Sequence, residues 1–156
     1  MISFVCLYLP FRDAHFNLAL LFGPIFWTSW FFLSHPVLNL SRAISDPETL
    51  LILAVIFPVL EEIVFRGWIQ ETLFRMSKGA KLLPSVSVSN ILTSLLFSFL
   101  HLFFHSVFWS CLVIIPSLVF GYFKDRHNSL FSCIILHVFY NLGYFLLFNN
   151  SVVFNA

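Results

Sequence analysis

The sequence predicts an all-α fold: a polytopic membrane helix bundle of about five transmembrane helices, preceded by a short N-terminal interfacial segment. Three observations predict it. Of the 156 residues, 60% are hydrophobic, 22 are phenylalanine, and the mean hydropathy is +0.94. Only 10% are charged, against roughly a quarter in a soluble domain, too few to cover a globule in water. Apolar stretches close to the ~20 residues that one crossing requires recur along the chain. The net charge of +1 says nothing of partners, and no basic patch suits a nucleic acid, so none is expected as a partner. The three cysteines Cys6, Cys111 and Cys133 have no zinc-type spacing, and an odd number gives no closed disulfide framework.

Met1 to Leu9 is apolar but too short to span, and no basic stretch precedes it as a signal peptide requires. It reads as an interfacial segment or partial helix, or as the tail of a segment cut by a misplaced start. The first span runs from about Ala14 to Leu33, before His35-Pro36. The second opens after Ser45-Asp46-Pro47-Glu48, where Asp46 or Ser45 can cap and Pro47 suits the first turn. It continues from Thr49 to about Ile69, with an amphipathic extension to Met76. The third covers Val88 to Phe104 after the breaker Pro84, and the fourth Val107 to Phe123, where Pro116 can kink it. The fifth runs from Leu130 to Phe148, ahead of the polar tail Asn149-Asn150-Ser151. No repeat or low-complexity tract interrupts residues 1–156, which read as one membrane domain.

Charge placement tests this order. Five alternating crossings put Arg12, Arg66, Arg75, Lys78, Lys81, Lys124 and Arg126 on one side and Arg42 alone on the other. Basic residues collect on the cytoplasmic side of membrane proteins. The N-terminus is therefore expected in the cytoplasm.

The second span holds the pattern that calls for chemistry, Glu61-Glu62-Ile63-Val64-Phe65-Arg66-Gly67. A carboxylate in the middle of a bilayer costs at least ~2.5–3.5 kcal/mol on insertion scales, so charges there usually serve a function. Glu62 and Arg66 stand four apart with the acid N-terminal, the favourable order for an ion pair within one helix. Glu61 is rotated by about 100° and cannot share that arginine equally. It is the candidate base, with Glu62 and Arg66 as its support. The third span offers Phe97, His101 and His105 on one face; the fifth offers His137 and Asn141 four apart. Helix rise lets Glu61, His101, His137 and Asn141 reach one cavity. Packing or loop roles are the plainer reading for His105, His15, His35 and His127.

Glu61-Glu62-x-x-x-Arg66, Phe97-x-x-x-His101 and His137-x-x-x-Asn141, in that order on three hydrophobic segments, resemble the CPBP family of CAAX prenyl proteases and bacteriocin-processing proteins, also called Abi. The Phe-Arg-Gly after the acidic pair matches as well, and the likeness covers about residues 48–148. It implies an intramembrane glutamic-type endopeptidase with a helical core, acting on a membrane-associated or C-terminal peptide segment within the lipid bilayer. Glu61 and His101 would position and deprotonate the attacking water; His137 and Asn141 would stabilise the oxyanion. Peptide hydrolysis needs just such a base and such donors. No cofactor or metal is expected, although two histidines and a carboxylate are also the ligand types of a zinc protease; no His-Glu-x-x-His is present. Small bacterial members of the family imply the bacterial inner membrane and maturation of a secreted or sorted precursor. Two rivals stand beside this reading: a non-catalytic self-immunity or peptide-binding protein, and a proton-relaying transporter. The second is weakened by the absence of a transporter-like repeat.

Overall fold

The computed structural model describes residues 10–34, 45–83 and 85–148. The N-terminal apolar run with Cys6, the stretch with His35 and Arg42, Pro84, and the Asn149-Asn150-Ser151 tail lie outside the described residues. A 3-10 turn (Pro10–Arg12) leads into α1 (Ala14–Ser34). The next helix, α2 (residues 47–76), alternates in pitch. Its α-helical pieces are Pro47–Leu51, Phe57–Glu62 and Glu71–Met76, and its π-helical pieces are Ile52–Ile56 and Ile63–Gln70. The Asp46 side chain caps it by accepting from the Thr49 N–H, and Pro47 takes the first helical position, as the sequence predicts. Pro58 can give no N–H to the carbonyl four residues back, and the first π turn directly precedes it. At ~1.5 Å per residue, α2 is roughly 45 Å long and outreaches a ~30 Å hydrocarbon layer.

A short antiparallel hairpin, β1 (Lys81–Leu83) and β2 (Val86–Ser87), follows, which the apolar pattern had not announced. It delivers the chain to α3 (Val88–His101), whose N-cap is Ser87. Then come α4 (Val107–Leu112), α5 (Ile114–His127) and α6 (Phe131–Phe148). By length and composition Ala14–Leu33, Val107–His127 and Phe131–Phe148 can each cross a membrane. The expected order of segments is kept, but boundaries change, and the fourth segment runs on to His127 rather than Phe123. The third helix ends at His101 rather than Phe104, because residues 102–104 tighten into turns that bond three residues back and Ser106 then caps a new helix. The fourth divides at Val113, three residues before Pro116, whose missing N–H leaves the carbonyl of Leu112 without its helical partner.

Phe32, Leu33, Phe103 and Phe104 are each more than two-thirds exposed, a surface suited to lipid rather than water. The packed centre is Phe16 of α1, Phe120 and Phe123 of α5, and Cys133 and Leu136 of α6. α3 turns an unusual face inward. Ser89, Asn90, Thr93, Ser94 and Ser98 are all buried, at the three- and four-residue steps of one helical stripe. Small polar residues let membrane helices approach closely. Opposite them sits Gly121, where any Cβ would lie 1.9 Å from Asn90 Oδ1.

The helix ends that carry the basic residues gather at one end of the bundle, as the charge bias predicts. Asp13 accepts from Arg126 Nε and Nη2, and its Oδ2 lies 2.9 Å from His127 Nε2, while His127 Nδ1 lies 2.6 Å from Ser132 Oγ. This ties the start of α1 to the end of α5 and the first turn of α6. On the far side of α5, Lys124 donates to Glu71 at 3.2 Å, and Asp125 accepts from Gln70 at 2.8 Å and Ser87 at 2.5 Å. The bond from Arg126, opposed by burial and assisted by His127, holds the Asp13 carboxyl well below the usual carboxylate range. A carboxyl lowered in the folded chain stabilises it above the unfolded value of about 3.9, and that stability is lost as pH falls through and below this value. Thermal melting of the detergent-solubilised protein is therefore expected to be flat down to about pH 4 and to weaken progressively below it. Asp13→Asn should lower the neutral-pH melting temperature and flatten that acid limb.

Candidate active site

Glu62, Arg66 and Gln70 follow one another at four-residue steps on α2, and all are buried, at 0%, 0% and 1% exposure. In a regular helix of about 3.6 residues per turn such positions drift around the axis; the wider π turn over Ile63–Gln70 counters the drift and keeps them inward. Glu62 Oε2 accepts from Arg66 Nε at 3.2 Å, the pair expected from the sequence. Arg66 Nη2 donates to Ser117 Oγ of α5 at 2.8 Å, and its guanidinium carbon lies 5.7 Å from the centre of the Phe97 ring.

Glu62 has a second partner that the sequence did not reveal. Its Oε1 lies 2.8 Å from His137 Nδ1 on α6. A carboxylate oxygen accepts, so the imidazole Nδ1–H is the donor to Glu62. The opposite nitrogen, His137 Nε2, faces Glu61 Oε2 at 3.5 Å. The adjacent acids thus have different surroundings. Glu62 is sealed at 0% exposure, whereas the Glu61 side chain is 34% exposed and takes no bond from Arg66.

His101 closes α3 and is half-buried. Its Nδ1 lies 2.8 Å from the Phe97 carbonyl; since a carbonyl only accepts, Nδ1 carries the hydrogen and Nε2 of the neutral ring keeps its lone pair. The Phe97 ring lies 4.3 Å from that of His101 and 6.2 Å from that of His137, so one phenyl group joins the two imidazoles. Phe120 also stacks on His137, at 4.7 Å. Asn141, one turn beyond His137, is half-buried and donates from Nδ2 to the Leu53 carbonyl at 3.4 Å.

The structure therefore brings Glu61, Glu62, Arg66 and His137 into direct contact and joins His101 to them through Phe97. It places Asn141 against the other π turn of α2. His105 leaves the helix, yet its ring stacks on His101 at 5.5 Å. His15 and His127 serve the α1 contacts, His15 with the Tyr122 hydroxyl at 2.7 Å. Sequence reasoning missed Ser117, which anchors Arg66 from another helix; a lone serine beside a proline carries no signal of its partner. Among the described residues, no three His, Cys, Asp or Glu side chains converge as metal ligands.

Carboxylates and imidazoles gathered between the helices of an all-helical membrane protein are the groups that peptide hydrolysis within a bilayer needs. The family model described as Type II CAAX prenyl endopeptidase Rce1-like matches residues 43–143, well over half of the chain, and the chain belongs to that family. It is an integral membrane peptidase of the CAAX type, whose substrate is a membrane-associated peptide met within the bilayer. The matched stretch contains every residue of the cluster from Glu61 to Asn141 and leaves out α1. No curated protein and no solved structure matches the chain.

Proposed function

We propose that this peptidase cleaves its substrate with a water activated by Glu61 and His101, and that His137 and Asn141 stabilise the oxyanion. The observation that carries the reading is the 3.5 Å approach of Glu61 Oε2 to His137 Nε2, with Glu62 fixed behind the same ring. Glu61 is the acid left open to a substrate, and it takes the proton of the attacking water. His101 Nε2, its lone pair unengaged by Phe97, accepts the water's second hydrogen bond and orients it. As the carbonyl carbon becomes tetrahedral, its oxygen gains charge. In this reading His137 donates from both ring nitrogens: Nδ1–H is held by Glu62, and Nε2–H is offered to that oxygen. Asn141 adds an amide N–H on exchanging its long bond to Leu53. Glu61 then returns its proton to the leaving nitrogen, so the products separate with no net change at the site.

The substrate we assign is a C-terminal or membrane-associated peptide segment, with maturation of a secreted or sorted precursor as the biological step. The N-terminus of the enzyme faces the cytoplasm of a bacterial inner membrane. In liposomes holding the purified protein and a quenched fluorogenic peptide ending in a prenylated CAAX sequence, cleavage is expected to proceed at an unchanged rate after exhaustive chelation. Activity lost on chelation and restored by one equivalent of zinc would overturn the metal-free mechanism.

A further inference from the structure

Arg66 is a cation with no exposure at all, and its hydrogen bonds are few. Nε is directed at Glu62 and Nη2 at Ser117, while Nη1 is buried without a partner. Among the described residues the guanidinium is therefore held by two hydrogen bonds, one to α2 itself and one to α5. Glu62 Oε1 in turn holds His137 Nδ1 at 2.8 Å, and His137 Nε2 meets Glu61. The bonds form an unbroken line from α5 through α2 to α6 and back to α2, and Ser117 is its outer end.

We propose that Ser117 is a positioning residue of this peptidase: its hydroxyl sets the plane of the Arg66 guanidinium, and through Glu62 the orientation of His137. This rests on the catalytic reading given above. Ser117 touches no reacting atom. Its backbone position is well fixed, because it lies one residue past Pro116, is fully buried, and bonds its N–H to the Val113 carbonyl at 3.1 Å. Packing against Phe97 cannot replace it, since a ring face attracts the cation without selecting the rotation of its plane. With the hydroxyl removed, Arg66 keeps a single directional bond and can turn about it. Glu62 then holds the imidazole in more than one orientation.

The test compares Ser117→Val with Ser117→Thr, which have nearly the same volume and differ in the hydroxyl. In the liposome assay Ser117→Val is expected to lower kcat by on the order of tenfold to a hundredfold, the usual cost of removing an orienting partner. KM should change by less than about twofold, since no substrate contact is lost. Ser117→Thr should restore most of kcat. A readout independent of any substrate is the nitrogen NMR shift of labelled His137. It should report one fixed Nδ1–H bond to Glu62 in the parent and in Ser117→Thr, and an averaged signal in Ser117→Val. Equal activities and equal spectra for the two variants would overturn the proposal. Glu61→Gln serves as the separate control. If it retains full activity, the catalytic reading fails, whereas its inactivation beside a fully active Ser117→Val refutes Ser117 alone.

Discussion

Glu61→Gln is expected to lower peptide cleavage by about 10²–10⁴-fold, the range that a positioned general base contributes. The protein should still insert, fold and melt close to the parent temperature. The substitution keeps the shape of the side chain and its 34% exposure, so little packing is lost. What disappears is the ability to take a proton from water. His137 also loses the charged acceptor at its Nε2, which weakens the donor on the opposite side of the reacting carbonyl. KM should stay within about twofold, because the loss is felt in the transition state rather than in binding. His101→Ala should act in the same direction with a smaller effect, since it orients the water and Glu61 removes the proton. A Glu61→Gln protein with parent-level kcat would rule out Glu61 as the base, whatever the result for its neighbours.

This expectation depends on a contrast that the sequence half disclosed. The spacing of Glu62 and Arg66 identified their pairing, and the 100° turn from Glu62 to Glu61 separated the two acids. The helix order and the basic end of the bundle were legible too, because bilayer thickness and charge placement act on composition and need no tertiary contact. Tertiary geometry was not legible. Nothing in a one-dimensional pattern says that Glu62 faces both Arg66 and His137, or that Ser117 of α5 completes the arginine's coordination. The π turns of α2 were equally hidden, although they decide which residues of that helix share its inner face. The third helix was drawn too long for a related reason. The apolar run continues through Leu102, Phe103 and Phe104, and hydropathy cannot see that Ser106 caps a new helix. The buried serines and asparagine of α3 stand at helical spacing too, but hydropathy alone does not single out their face.

The largest expected effect on stability is at Arg66. Arg66→Met removes the guanidinium bonded to Glu62 and leaves that carboxylate, at 0% exposure, with the His137 imidazole as its remaining partner among the described residues. Breaking a buried pair from one side typically costs about 3–5 kcal/mol, because the abandoned charge remains desolvated. Reversible unfolding of the protein in mixed micelles should show a loss of that size. Glu62→Leu combined with Arg66→Met should recover more than half of it, since an apolar pair of similar volume avoids the desolvation of both ions. Cleavage should not recover with it. In the double variant His137 Nδ1 has lost its acceptor, so the ring is free to turn and kcat should remain at least about tenfold down. A protein that is stable again but still inactive is the signature of a charge pair retained for orientation rather than for folding. Should Arg66→Met unfold within about 1 kcal/mol of the parent, Glu62 must shed its charge or reach water on losing the arginine. The line from Ser117 to His137 would then have no fixed anion at its centre.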